Sequence, residues 1–230
     1  VMHAVKQVLG MGGKAQQTSL IESFLYPKYG PGQMWETAAR RFVEQGGTLL
    51  MRSRVERIDI ADGRVQGVAY RDADGIEHAL PCTHLLSTMP IKDLVQASAA
   101  AWPEDVRTIA GALSYRDFIT VGLLYPRSAI PRQLDDNWIY IQEPGVNVGR
   151  VQVFNNWSPY MVADQDTLWL GLEFFCKEGD PLWTMDDEAL KALGHREMVQ
   201  IGLVQADAAR DAVVLRVPKA YPGYFGEAYA

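Results

Sequence analysis

The sequence is poor in the residues that hydrolytic and metal chemistry require. Its 230 residues include two cysteines and four histidines. Cys82 and Cys176 have no neighbouring partner in the sequence, so spacing supports neither a disulfide framework nor a zinc site. His3, His78, His84 and His195 stand singly, no Gly-x-Ser-x-Gly or His-Glu-x-x-His pattern occurs, and no metal is expected. Positive charge is not in excess either. Twenty-two Lys and Arg against 28 Asp and Glu leave a formal charge of −6, which disfavours a nucleic-acid partner recruited through phosphates. The short basic groups Arg40-Arg41 and Arg52, Arg54, Arg57 fit a solvated face. No apolar run approaches the roughly 18 residues needed to cross a bilayer, and the start does not resemble a secretion signal. The expectation is a protein without a membrane span, in a reducing cytoplasm. The chain opens at Val1 in helix-like spacing with Val5, Val8 and Leu9, and Tyr221-Pro222-Gly223-Tyr224 introduces no closing element, so an internal piece of a longer protein is expected.

What is present is a regular succession of elements. Gly10-Met11-Gly12-Gly13-Lys14 has the look of a phosphate loop. However, Val8 and Ala15 stand where such a loop needs Gly and Ser or Thr, and the glycines follow a helix-like stretch. A helix end and loop is the better reading. Residues 23–29 are aromatic and extended. Gly30-Pro31-Gly32 turns the chain, and 33–45 returns to helical spacing with Met34, Trp35, Ala38, Ala39, Phe42 and Val43 on one face. Gly46-Gly47 stops that helix, and Thr48 to Met51 reads as a short buried strand. Strands at 55–60, 65–70 and 76–80, with turns at Asp62-Gly63 and Asp72–Gly75, make a meander, and His84 to Thr88 adds a buried strand.

Helices follow at 91–101 and 103–111, the second opened by Pro103 in its first turn. Strands are expected at 114–125, 138–142, 150–154, 167–176 and 212–217, with a helix from a capping box at Thr184 and Asp187 to about Val204. Meander, helices, then an antiparallel sheet with a covering helix define an α+β fold.

The chemistry of the residues leaves choices open. With neither nucleophile nor metal on offer, catalysis would rest on an organic cofactor. The glycine turn followed by Gln33, between Tyr26, Tyr29 and Trp35, suits close approach of a flat ring. Glycine lets the backbone come near, and a neutral amide adds no charge; on composition alone a plain strand-to-helix turn is the favoured account. Arg150 with Asn155, Asn156 and Trp157, and Tyr115-Arg116, suit a phosphate or carboxylate ligand or an ordinary ion pair.

The stretch YPKYGPGQMWETAARRFVEQGGTLLMRSRVERI, with the later HLLSTMP, resembles the flavin-containing amine oxidase superfamily, which includes amine oxidases, protoporphyrinogen oxidases, phytoene desaturases and UDP-galactopyranose mutases. The likeness spans Phe24 to Pro90, about a third of the chain. It rests on four features in order: a glycine turn with Gln opening a helix, a Gly-Gly stop before a strand, a Val-x-x-Ile, and a strand ending in small residues and Pro. The resemblance implies a fragment of an FAD/NAD(P)-binding α/β enzyme. Its parts would be a linker helix and strand at 1–29, part of the FAD-binding domain at 30–91, a substrate domain at 92–220 and the start of a return to the FAD domain at 221–230.

The resemblance also implies roles. Val55, in the Val-x-x-Ile position, would contact the FAD adenine through its backbone. Gly30, Gly32 and Gln33 would lie near the isoalloxazine, and Ser87, Thr88 and Pro90 would border the cofactor. Gln33 and Arg150 are the candidate catalytic residues; Tyr29, Arg116, Asn155 and Asn156 are the candidate substrate contacts. The implied activity is hydride transfer from a small organic substrate to FAD. A mutase-like isomerase acting on a nucleotide sugar, with Arg150 on the diphosphate, and a non-catalytic binding module are the alternatives. The sequence lacks the Gly-x-Gly-x-x-Gly unit that seats the FAD pyrophosphate, so this polypeptide alone is expected to bind FAD weakly or not at all.

Overall fold

Two antiparallel sheets carry the chain, and each grows out of an alternation of apolar and polar residues. The structure, a computed structural model, describes residues 24–206, 209–224, 226 and 228. The helix expected from Val1 and the loop at Gly10 to Lys14 lie outside them. Gly30 takes φ +83°, a conformation that L side chains rarely adopt, and delivers the chain into helix α1, Gly32–Glu44. The helix is amphipathic, as its spacing demands, but none of its residues is buried; Met34, Trp35, Phe42 and Val43 are each at least half exposed.

Strands β1 (Arg54–Ala61), β2 (Arg64–Arg71) and β3 (Glu77–Pro81) form the expected meander in the order β1-β2-β3. Asp62 and Gly63 both adopt positive φ, 51° and 70°, the geometry a two-residue hairpin turn needs. Ile58, Val68 and Ala69 are its buried residues.

Two expected strands are absent. Thr48 to Met51 and His84 to Thr88 are irregular and exposed, Leu86 at 97%. A strand exists through its hydrogen-bonded neighbour, and neither segment has one among the described residues, so apolar content alone leaves extended chain.

Helices α2 (Ile91–Ala97) and α3 (Glu104–Ala112) pack on each other, with Pro103 at the N-cap of α3 rather than inside its first turn. The second sheet has the order β5-β6-β7-β4-β8, from strands Trp138–Tyr140 (β5), Arg150–Val153 (β6), Thr167–Cys176 (β7), Tyr115–Pro126 (β4) and Asp211–Pro222 (β8). Short helices α4 (Phe154–Trp157) and α5 (Pro181–Thr184) precede the covering helix α6 (Asp187–Gln200).

Thr184 ends α5 instead of capping α6. The cap is Asp186, whose carboxylate accepts from Ala189 N at 2.8 Å; a carboxylate there also favours the positive end of the helix. The helix stops at Gln200, short of Val204, because Gly202 (φ 72°) closes a Schellman turn with Gly202 N on Val199 O and Leu203 N on Met198 O.

One face of this sheet is the core of the molecule. Ile119, Val121, Leu123 and Tyr125 of β4 alternate with Leu168, Leu170, Leu172 and Phe174 of β7 beneath Leu190 and Met198 of α6. The helix comes closest at Gly194, where an added Cβ would stand 3.0 Å from Leu172 and 3.5 Å from Val121. Most buried polar groups are matched: the Tyr125 hydroxyl meets His195 Nδ1 at 3.0 Å, and the Glu197 carboxylate accepts from Asn147 N and Val148 N, whereas Ser114 Oγ and Trp157 Nε1 are buried with no partner among the described residues. Burial pushes the Tyr125 phenol well above its ordinary range.

Candidate functional site

The period-two geometry that buries one face of the five-stranded sheet turns the other residues outward, so that Trp138, Tyr140, Arg150, Gln152, Glu173 and Phe175 share the open face. At its centre Glu173 is 2% exposed. Arg150, its neighbour across the β6–β7 pair, donates Nε and Nη2 to one carboxylate oxygen at 2.9 and 2.5 Å, and Gln152 Nε2 donates to the other. Arg150 Nη1 reaches the Tyr140 hydroxyl at 3.3 Å, and the guanidinium lies 5.0 Å from the centroid of Trp138 and 5.7 Å from that of Tyr140. Burial works against its charge, but the hydrogen bonds to Glu173 and Tyr140 outweigh it and raise the Arg150 pKa. The result is a charged pair set among aromatic rings.

A second aromatic group clamps the glycine turn to the edge of this face. Tyr26 stacks on Trp157 (centroids 5.1 Å, 25° between planes), and Trp138 meets the same indole edge-on at 5.0 Å. Lys28 Nζ sits 4.0 Å from the Tyr160 centroid, its carbonyl accepts from Ser158 Oγ at 2.6 Å, and Tyr26 Oη donates to Met161 Sδ at 3.6 Å. Gly30 packs against Met161, whose side chain would lie 3.3 Å from a Cβ there. Past the turn, Tyr29 N donates to Gln33 Oε1 at 3.0 Å, which fixes the amide; Gln33 Nε2 has no protein partner among the described residues. Nothing lies within 4 Å of a Cβ built on Gly32, so the turn has an open side. Tyr29 is exposed and meets Tyr160 edge-on at 6.2 Å.

The expected site residues fall into three places. Gln33 lines a cavity with Pro27, Met34 and Arg41. Val55 lines a different one, of about 910 Å³, with Met89, Asp93 and Lys219. Ser87 Oγ accepts from Met89 N, and Thr88 is exposed. Lys219 Nζ binds both oxygens of Asp93 at 2.6 Å on this cavity's wall. Arg150 and Arg116 line a third cavity at the end of the sheet.

Asn155 and Asn156 depart from the expected ligand contacts. Asn155 is buried, with Nδ2 on Thr167 O and Oδ1 accepting from Trp169 N, and Asn156 Nδ2 donates to Leu134 O and Asp136 O. Both amides are used to fasten α4 to its surroundings, because a helix of four residues has too few hydrogen bonds of its own to hold its place. Sequence reasoning missed Glu173. The signal was available: one carboxylate inside the otherwise apolar run TLWLGLEFFC.

An antiparallel sheet with one covering helix, joined to a meander and a glycine turn, is a fold that this chain shares with several solved structures. Three solved structures illustrate it. Reduced UDP-galactopyranose mutase aligns with TM-score 0.68 and 19% identity over 86% of this chain and 41% of its own. A protein assigned as a protoporphyrinogen oxidase from Exiguobacterium sp. 255-15 gives 0.66 and 14% over 90% and 42%. A putrescine oxidase with redesigned cofactor binding gives 0.57 and 13% over 80% and 38%. The chain therefore spans about two fifths of the length of these proteins. No family model and no curated protein matches it. Among the described residues no helix is long and apolar enough to cross a membrane, and no cluster of His, Cys, Asp and Glu could hold a metal.

Proposed function

We propose that the chain is the substrate-side part of an FAD-dependent oxidoreductase that takes a hydride from a small organic substrate. The observation that carries this reading is the clamped glycine turn, held by Trp157, Ser158, Tyr160 and Met161 against an aromatic sheet face in a fold shared with flavoproteins. The residues fit the ring of a flavin. Among the described residues Gly32 has open space beside it and Gln33 Nε2 is a neutral donor with no protein partner, and Trp138 and Tyr140 offer ring faces nearby.

When bound, the flavin supplies the two-electron acceptor. The chain's own residues then orient and desolvate. Gly32 would leave room for the ring, the Gln33 amide would hydrogen-bond it without adding charge, and Trp138, Tyr140 and the Arg150–Glu173 pair would wall the substrate side. Val55 and Met89 would border the nucleotide end, in keeping with their shared cavity. The mutase-like alternative is less well supported, because the Arg150 charge that would hold a diphosphate is already engaged by Glu173.

The test is an FAD titration of the chain, read by flavin fluorescence and equilibrium dialysis. Weak saturable binding is expected, lost in Gly32→Leu, a substitution the open side of the turn accommodates without disturbing the fold. Saturable binding that Gly32→Leu leaves unchanged overturns the reading.

A further inference from the structure

At the end of the open sheet face, where β4, β7 and β8 run out, Arg116, Arg150, Phe175, Tyr221 and Tyr224 line a cavity of about 450 Å³, within the size range of small-molecule sites. Its charges are unevenly matched. Arg150 is paired in place by Glu173, so its positive charge is cancelled inside the wall. Arg116 is exposed and has no carboxylate partner among the described residues. The cavity therefore presents one uncompensated positive charge.

Beside it stand two ring faces held from behind. The Phe175 ring lies against Gly149, where a Cβ would come within 2.8 Å, and Tyr221 leans on Phe118 with centroids 6.0 Å apart. Each nevertheless remains more than two fifths exposed, Phe175 at 43% and Tyr221 at 44%. Rings fixed on one side and bare on the other are surfaces for stacking, already ordered before a ligand arrives.

We propose that this cavity binds a flat aromatic ring bearing a single negative charge, an aromatic carboxylate, with Arg116 pairing with the carboxylate and Phe175 and Tyr221 flanking the ring. The inference deepens the oxidoreductase reading, on which it rests only in calling this ligand the substrate. A nucleoside diphosphate is disfavoured for the same reason that a monoanion is favoured. It brings at least two charges to a site with one free cation, and the second would be desolvated without compensation.

The test is calorimetric titration of the full chain with phenylacetate, benzylamine and uridine diphosphate. Phenylacetate is expected to bind saturably, with the amine and the diphosphate each about tenfold weaker or worse. Arg116→Gln should weaken phenylacetate about tenfold, Arg116→Lys should recover part of that loss by restoring the charge, and Phe175→Leu should weaken it with the charge intact. Because Arg116 is exposed and unpaired, these variants should keep the native circular dichroism spectrum. Diphosphate binding tighter than phenylacetate, phenylacetate binding indifferent to Arg116→Gln, or no saturable phenylacetate binding each overturns the proposal. Flavin binding is read separately by its absorbance, so its failure with carboxylate binding intact would strike the redox reading and leave the ligand class standing.

Discussion

The five-stranded sheet and the region built from α1 and the meander put apolar side chains to opposite uses. In the sheet, Ile119, Val121, Leu170, Leu172 and Phe174 are wholly shielded beneath α6. In α1 no residue is buried, and Leu49, Leu50, Met51 and Leu86 lie in the open. Hydrophobic stabilisation is proportional to area removed from water, so side chains of equal apolarity contribute strongly in one region and little in the other. The open sheet face around Arg150 stands on a packed support, while the glycine turn owes its position to a few contacts with residues 157–161.

The strongest way to break this contrast is to truncate a large side chain in each region. Phe174→Ala should destabilise the sheet by about 3–5 kcal/mol in urea unfolding, whereas Trp35→Ala on α1 should change stability by no more than about 0.5 kcal/mol. Equal losses would mean that α1 has a partner surface in solution. Next in size, Glu173→Gln leaves the Arg150 guanidinium without its counter-charge and should cost about 3 kcal/mol. Replacing both residues together, Arg150→Met with Glu173→Leu, should restore most of it. If the double variant is no better than the single one, the pair does more than balance charge.

A smaller effect probes the clamp. Ser158→Ala removes the hydrogen bond to Lys28 O and should cost about 1 kcal/mol, seen as faster amide exchange around Lys28 to Gly30 with the β4 and β7 amides unchanged. Uniform acceleration across both would show that the turn is not a separate unit.

The smallest effect is one of pH on the meander. His78, together with the backbone N–H groups of Ile76 and Asp74, holds the Asp72 carboxyl below its ordinary range. Its folded value lies below that of the unfolded chain, so the stability it contributes is complete above the ordinary aspartate range and fades as the pH falls through the depressed value. Acid unfolding of the meander, followed by exchange at β2 and β3 amides, should lose part of its pH dependence in Asp72→Asn. An unchanged profile would place the acid sensitivity elsewhere.

The elements of the sheet were legible because their signals are local. A β-rich apolar run located β7 at Thr167–Cys176, and Asp62-Gly63 located a hairpin whose two positive φ angles follow from the residue types. Thr48 to Met51 and His84 to Thr88 were misread because the apolar run that marks a strand says nothing of whether a neighbouring strand is there to pair with it. The site was half legible for a similar reason. Arg150 and Gln33 announced themselves as polar groups among aromatics. That Asn155 faces inward was decided by the backbone groups of Thr167 and Trp169.

The sequence by itself determined the periods, the turns and the inventory of side chains, since these depend on φ, ψ and residues a few places apart. Only the tertiary structure decided that Glu173, twenty-three residues from Arg150, cancels its charge and that Arg116 has no carboxylate partner among the described residues. Charge balance depends on which groups lie within a few ångströms, and strand pairing, rather than distance along the chain, sets those separations.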